Sequence, residues 1–88
     1  MVIDHRFAPA ARDYLRELDS YPEWRGRQER WHCPFCEDQS LTITRADRIS
    51  CDNGCVSSAS VVGFEAHRHD CSMEEAARIL GCLRYEKL

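Results

Sequence analysis

Eighty-eight residues carrying a formal net charge of −3 make one domain at most, and so short a chain buries too little apolar surface to be secure without a metal or disulfide staple. Twelve basic against fifteen acidic residues exclude an indiscriminate polyanion binder, whose domain would be basic. No stretch nears the length of a membrane span and the charged first eighteen residues lack the apolar core of a secretory signal, so the expected setting is a reducing cytoplasm, away from the membrane, where six cysteines favour metal over disulfides.

The first element expected is an amphipathic helix in residues 8–19, "APAARDYLRELD". Ala11, Tyr14, Leu15 and Leu18 fall on one face at helical spacing, and Pro9 suits the first turn. Pro22 and Gly26 in "SYPEWRGRQ" then break the pattern, which reads as a loop leading to the cysteines. "LTIT" alternates as a strand, "RAD" turns, and "RIS" returns. Ser60 caps a helix through "VVGFEAHRH", weakened by Gly63. Ser72 and Glu75 form a capping box for "MEEAARIL", whose apolar stripe is Met73, Ala76, Ala77 and Leu80, and Gly81 stops it. The expected class is α+β: a small zinc ribbon, a short antiparallel hairpin with two cysteine knuckles, flanked by an N-terminal helix and two C-terminal helices. Its parts are residues 1–23, helix and loop, and residues 24–88, ribbon and C-terminal helices, in one compact unit.

Two residues separate Cys33 from Cys36, three separate Cys51 from Cys55, and fourteen lie between the pairs. Tetrahedral zinc takes four thiolates at about 2.3 Å, and two knuckles at opposite ends of a hairpin supply them without straining the backbone. "CDNGC" adds Asn53 and Gly54, which accept the left-handed conformations such turns use. The competing thioredoxin-like pair would need a βαβ context, and a hairpin with a second knuckle follows instead. Four protein sulfurs close the shell, so the expected Zn2+ is single and structural; an iron centre would use the same ligands. Cys71 and Cys82 read as small buried hydrophobes. His67 and His69 would point to different faces of a helix, which argues against a second site, and His32 reads as a solvated neighbour of the knuckle.

"CPFC", the strand "SLTIT", the return into "CDNGC" and then "SVVGFEAHRHDCSMEEAARIL" together resemble the zinc-binding domain of bacterial and phage DNA primases. Cys33, Pro34 and Phe35 match that family's first knuckle, and Ser40, Leu41 and Ile43 its strand. Ser60, Val61, Val62 and Phe64 match the helix after the second knuckle, and Met73, Glu75, Ala76 and Leu80 the last helix. The resemblance covers about residues 24–81. It departs at Cys36, where the family usually has histidine, in a shorter segment after the first knuckle, and in one extra residue in the second. The primase's catalytic domain is absent from these residues, so the likeness is to the template-reading module alone, from a phage or mobile element.

The resemblance implies binding of single-stranded DNA across the ribbon face. Arg25, Arg27, Arg30, Arg45 and Arg48 fall on the approach to the ribbon or on its hairpin, with Trp31, Trp24 and Phe35 nearby as flat groups for base stacking. A different class is a protein-interaction module: a primase-like ribbon docking on a replication protein, or a phage-encoded inhibitor of a host nucleic-acid complex, such as an anti-CRISPR protein. Its surface would be the acidic stretch from Ile49 to Leu88, with six acids against four bases. An enzyme is not expected. No nucleophile is spaced with a base, no glycine loop cradles phosphate, and the metal shell is closed.

Overall fold

The computed structural model describes residues 2–18 and 21–84, the Arg25 side chain excepted. Its elements in chain order are strand β1 (Val2–Ile3), a 3-10 turn (His5–Phe7), helix α1 (Ala11–Glu17) and strands β2 (Glu23–Arg25), β3 (Gln28–Arg30), β4 (Leu41–Ile43) and β5 (Ile49–Cys51). Helices α2 (Val61–His69) and α3 (Met73–Leu80) and strand β6 (Leu83–Arg84) follow. This is the small α+β fold with a ribbon-like hairpin that the sequence predicts. No helix of the described residues is long and apolar enough to cross a membrane.

The ribbon hairpin is β4–β5, in register Leu41↔Cys51, Thr42↔Ser50 and Ile43↔Ile49. Its loop closes through Thr44 N–H to the Arg48 carbonyl at 2.8 Å, with Asp47 left-handed at φ 60°, the usual geometry of a three-residue hairpin loop. Asp47 has a second role. Helix α1 begins after Ala10, which offers no side-chain cap, and both Asp47 carboxylate oxygens accept from Ala11 N–H at 3.2 Å. The ribbon loop thus caps a helix 36 positions earlier in the chain. Asp47→Ala should lower stability by about 1–2 kcal/mol, the usual cost of a lost N-cap, read as a lower urea midpoint at unchanged metal content.

Two expectations are corrected here. Residues 8–19 are helical only over Ala11–Glu17: the chain is extended at Ala10, and Pro9 lies ahead of the helix. Asp19 lies outside the described residues. The stretch around Pro22 and Gly26 is a second hairpin, β2–β3, with Trp24 opposite Glu29. Pro22 precedes the strand, and Gly26 at φ 64° takes the first loop position, where a tight hairpin turn wants positive φ. Residues that break a helix here make a turn.

Both later helices follow their signals. Ser60 Oγ accepts from Gly63 N–H at 3.0 Å and Ser72 Oγ from Glu75 N–H at 3.1 Å. The Glu75 carboxylate pairs with Arg78 at 2.7 Å. Of the α3 stripe, Ala76 and Ala77 are buried while Met73 stays exposed.

The larger core cluster joins Tyr14 and Leu15 of α1, Trp31, Leu41, Ile49 and Phe64, and it includes Cys33 and Cys51. A smaller one gathers Val62, Ala66, Ala76, Ala77 and Cys82, with Cys71 packed against it. Glu65 is 2% exposed and its carboxylate is fully engaged. It accepts from the Tyr14 hydroxyl and from Arg68 at 3.1 Å, and His69 Nε2 lies 2.5 Å from it. Burial and that carboxylate push the Tyr14 hydroxyl pKa up. The contact ties α1 to α2.

Candidate metal centre and the surface beside it

Cys33, Cys36, Cys51 and Cys55 converge so that their sulfurs all lie within 4.8 Å of one another. Cys36 Sγ and Cys51 Sγ are 3.8 Å apart. That matches the edge of a tetrahedron whose centre is about 2.3 Å from each sulfur, and all four are free thiols. The four-cysteine group can hold one metal ion.

Both knuckles are fixed by backbone hydrogen bonds. In the first, Glu37 N–H donates to the Cys33 carbonyl at 2.8 Å and Cys33 N–H to the Asp38 carbonyl at 2.8 Å, with Glu37 left-handed at φ 61°. In the second, Gly54 N–H donates to the Cys51 carbonyl at 3.0 Å, and Gly54, at φ 84°, takes the left-handed position expected of it. Asp52 N–H reaches the Ser40 carbonyl at 2.9 Å and joins the two knuckles.

The sulfurs have polar support. Ser40 Oγ is 3.2 Å from both Cys36 Sγ and Cys51 Sγ, and Asn53 Nδ2 donates to Cys36 Sγ at 3.4 Å and to Asp38 at 3.0 Å. Donation by Ser40 and Asn53 brings the Cys36 thiol down to about 6. Desolvation pushes Cys33 up, and desolvation with the neighbouring thiols Cys51 and Cys36 pushes Cys55 to about 12. This donor set fits a thiolate-bound metal: hydrogen bonds directed at sulfur stabilise its anionic form. In the sequence Ser40 reads only as a residue of the strand "SLTIT", and nothing local points to its contact with the sulfurs.

The two histidines diverge as helical geometry requires. His67 packs its ring on Phe35, with centroids 4.5 Å apart, and His69 turns to Glu65.

The arginines proposed for nucleic acid differ in their engagement. Arg27, in the β2–β3 loop, and Arg45, in the β4–β5 loop, are exposed. Arg48 is exposed and donates to the Ser58 carbonyl at 3.0 Å. Arg30 is largely buried, pairing with Asp52 and donating to Gln28, so it braces β3 against the second knuckle. The Arg25 side chain lies outside the described residues.

Trp31 requires a correction. It bridges to Leu41, is fully buried, and has the Arg12 guanidinium over its ring at 5.6 Å. Its ring is a core group, unable to stack on a base. Phe35 packs against Phe64 at 5.4 Å. The exposed flat groups near the two hairpins are Trp24, at 66%, and Tyr21, at 68%. Arg12 in turn binds Glu29 through two hydrogen bonds, at 2.5 and 3.0 Å. Beside these residues a cleft of about 450 Å³ opens between the two hairpins, lined by Arg12, Gln28, Arg30 and Thr42 among others.

Comparison with models of protein families, with curated proteins and with solved structures finds no match.

Proposed function

We propose that the chain is a zinc-stapled, non-enzymatic module that binds single-stranded DNA, akin to the template-reading domain of primases. The observation that carries this reading is the company kept by the thiol cluster. The ribbon it fixes ends in the exposed Arg45, and the adjoining hairpin offers the exposed Arg27 and Trp24. Cys33, Cys36, Cys51 and Cys55 would hold Zn2+, for which an all-sulfur tetrahedral set is characteristic. The ion would supply no chemistry beyond fixing the two knuckles.

Trp24 would stack on a base, a contact worth about 1–3 kcal/mol, and the two loop arginines would meet phosphates. Not every arginine is available for this. Arg6, Arg12, Arg30, Arg68 and Arg78 are already paired with acids, so binding should be only modestly salt-sensitive. With two or three phosphate contacts, log K should fall with log salt at a slope of about −1.4 to −2.

The test is a titration with single-stranded oligonucleotide at two salt concentrations, followed by tryptophan emission. Trp31 is buried and Trp24 exposed, so a change in emission reports on Trp24. Arg27→Ala with Arg45→Ala should weaken binding about tenfold or more at low salt and leave the metal in place. Unchanged affinity in that double variant, or no binding by the parent chain, refutes the reading. A parent chain that ignores DNA yet carries a host complex through purification would support the protein-interaction reading.

A further inference from the structure

The outer edge of β2 carries a self-complementary pattern. In a hairpin closed by two residues, the pair flanking the loop is the hydrogen-bonded one, here Arg25 with Gln28. Alternation along the ladder then turns the N–H and C=O of Trp24 outward. Among the described residues β2 pairs only with β3. An unpaired edge of this kind is a template for another strand.

We infer that this edge pairs with the same edge of a second copy of the chain, antiparallel, about a twofold axis through Trp24. In that register Trp24 exchanges both of its backbone hydrogen bonds with its own counterpart. Glu23 falls opposite the partner's Arg25, and Arg25 opposite the partner's Glu23, by strand position alone. Both of these flanking pairs are of opposite charge, whereas a shift by two residues sets Arg25 opposite the partner's Arg25 in one direction and Glu23 opposite the partner's Glu23 in the other. Just beyond the strand, the exposed Tyr21 comes toward the loop that bears the partner's Arg27, an aromatic ring near a cation. The pairing is isologous and closes on itself, so it makes dimers and no fibres.

The same edge limits its own strength. Pro22 has no N–H and ends the ladder after Trp24, a common way of blunting an edge. Three residues a side with one tryptophan each bury far less than the roughly 1,200 Å² of a stable interface. The dimer is therefore weak and reversible. It covers Trp24, so pairing and DNA stacking on Trp24 are alternatives; the pairing itself does not depend on any DNA activity.

Sedimentation velocity of the metal-loaded chain, without DNA, from about 10 µM to about 1 mM decides the matter. The mean mass should climb toward that of two chains. Glu23→Arg alone and Arg25→Glu alone each set like charges opposite one another twice, and each should lower the association constant about tenfold. The double variant Glu23→Arg with Arg25→Glu restores both opposed pairs and should recover association to within about threefold of the parent. Glu23 and Trp24 are exposed, and metal content together with circular dichroism confirms that each variant is folded. A mass that stays monomeric at about 1 mM, or association indifferent to the charge reversals, overturns the inference. Neither result bears on the DNA reading, which would fail by its own titration.

Discussion

Cys51→Ser should lose its metal and most of its fold together. Cys51 is buried, contributes a sulfur to the cluster 3.2 Å from Ser40 Oγ, and, as the last residue of β5, donates its N–H to the Val56 carbonyl at 2.9 Å. A serine hydroxyl is a poor substitute for thiolate on a soft-ligand site. Structural zinc is coupled to folding by on the order of 10 kcal/mol in small domains, comparable to or larger than the whole stability of an ordinary domain, about 5–15 kcal/mol. The expected outcome is metal content well below one ion per chain, with loss of the cooperative thermal transition. A chelator acting on the parent protein should produce the same state. Metal affinity should also fall as pH falls: Cys33 and Cys55 favour their protonated forms, so the metal must displace protons, and acid returns them. Cys71→Ser is the control, since Cys71 stands apart from the cluster in the smaller core, and it should keep both metal and transition. A Cys51→Ser protein that retains one ion per chain and the parent melting point overturns the four-ligand assignment.

Phe64→Ala should have the second largest effect, with the metal still bound. Phe64 is fully buried, and its ring meets Tyr14 edge-on at 5.8 Å and Phe35 at 5.4 Å. It therefore lies where α1, the first knuckle and α2 meet. Truncating a buried phenylalanine costs about 3–5 kcal/mol through lost transfer energy and an unfilled cavity. In a domain this small that is a large share of the total. Urea denaturation at saturating metal should show the midpoint falling sharply, and Phe64→Leu should recover part of the loss. Met73→Ala, on the exposed rim of α3, should change stability by only about 0.5 kcal/mol or less. A Phe64→Ala midpoint equal to that of Met73→Ala would mean that the three elements are not joined through this ring.

The features legible in the sequence were those set by local spacing. The Cys33, Cys36, Cys51 and Cys55 spacing places four sulfurs together, and the Ser60 and Ser72 caps, with Gly81, mark two helices closely, because each depends on residues within one turn of one another. What stayed hidden depends on contacts between distant segments. The hairpin β2–β3 reads as a loop because Pro22 and Gly26 break a helix and mark a tight hairpin by the same physics. The cap on α1 comes from Asp47, and no local rule points to a carboxylate that far away. Trp31 illustrates the same difficulty: its position beside arginines suits nucleic acid as well as it suits a core. Only the bridge to Leu41 and the Arg12 guanidinium over its ring decide for burial. The burial of Glu65 against Tyr14 is of the same kind, since its partner comes from another helix 51 positions away.

The pairing of β1 with β6 sets Val2 beside Arg84, so the earliest strand of the described chain is completed by the latest. During synthesis β1 leaves the ribosome before the knuckles and helices α2 and α3, and its edge stays open while they are still being made. Closing a loop from Val2 to Arg84, nearly the full span of the described residues, carries an entropic penalty that local contacts escape. This clip is therefore expected to close late in assembly, after the pairings within each hairpin.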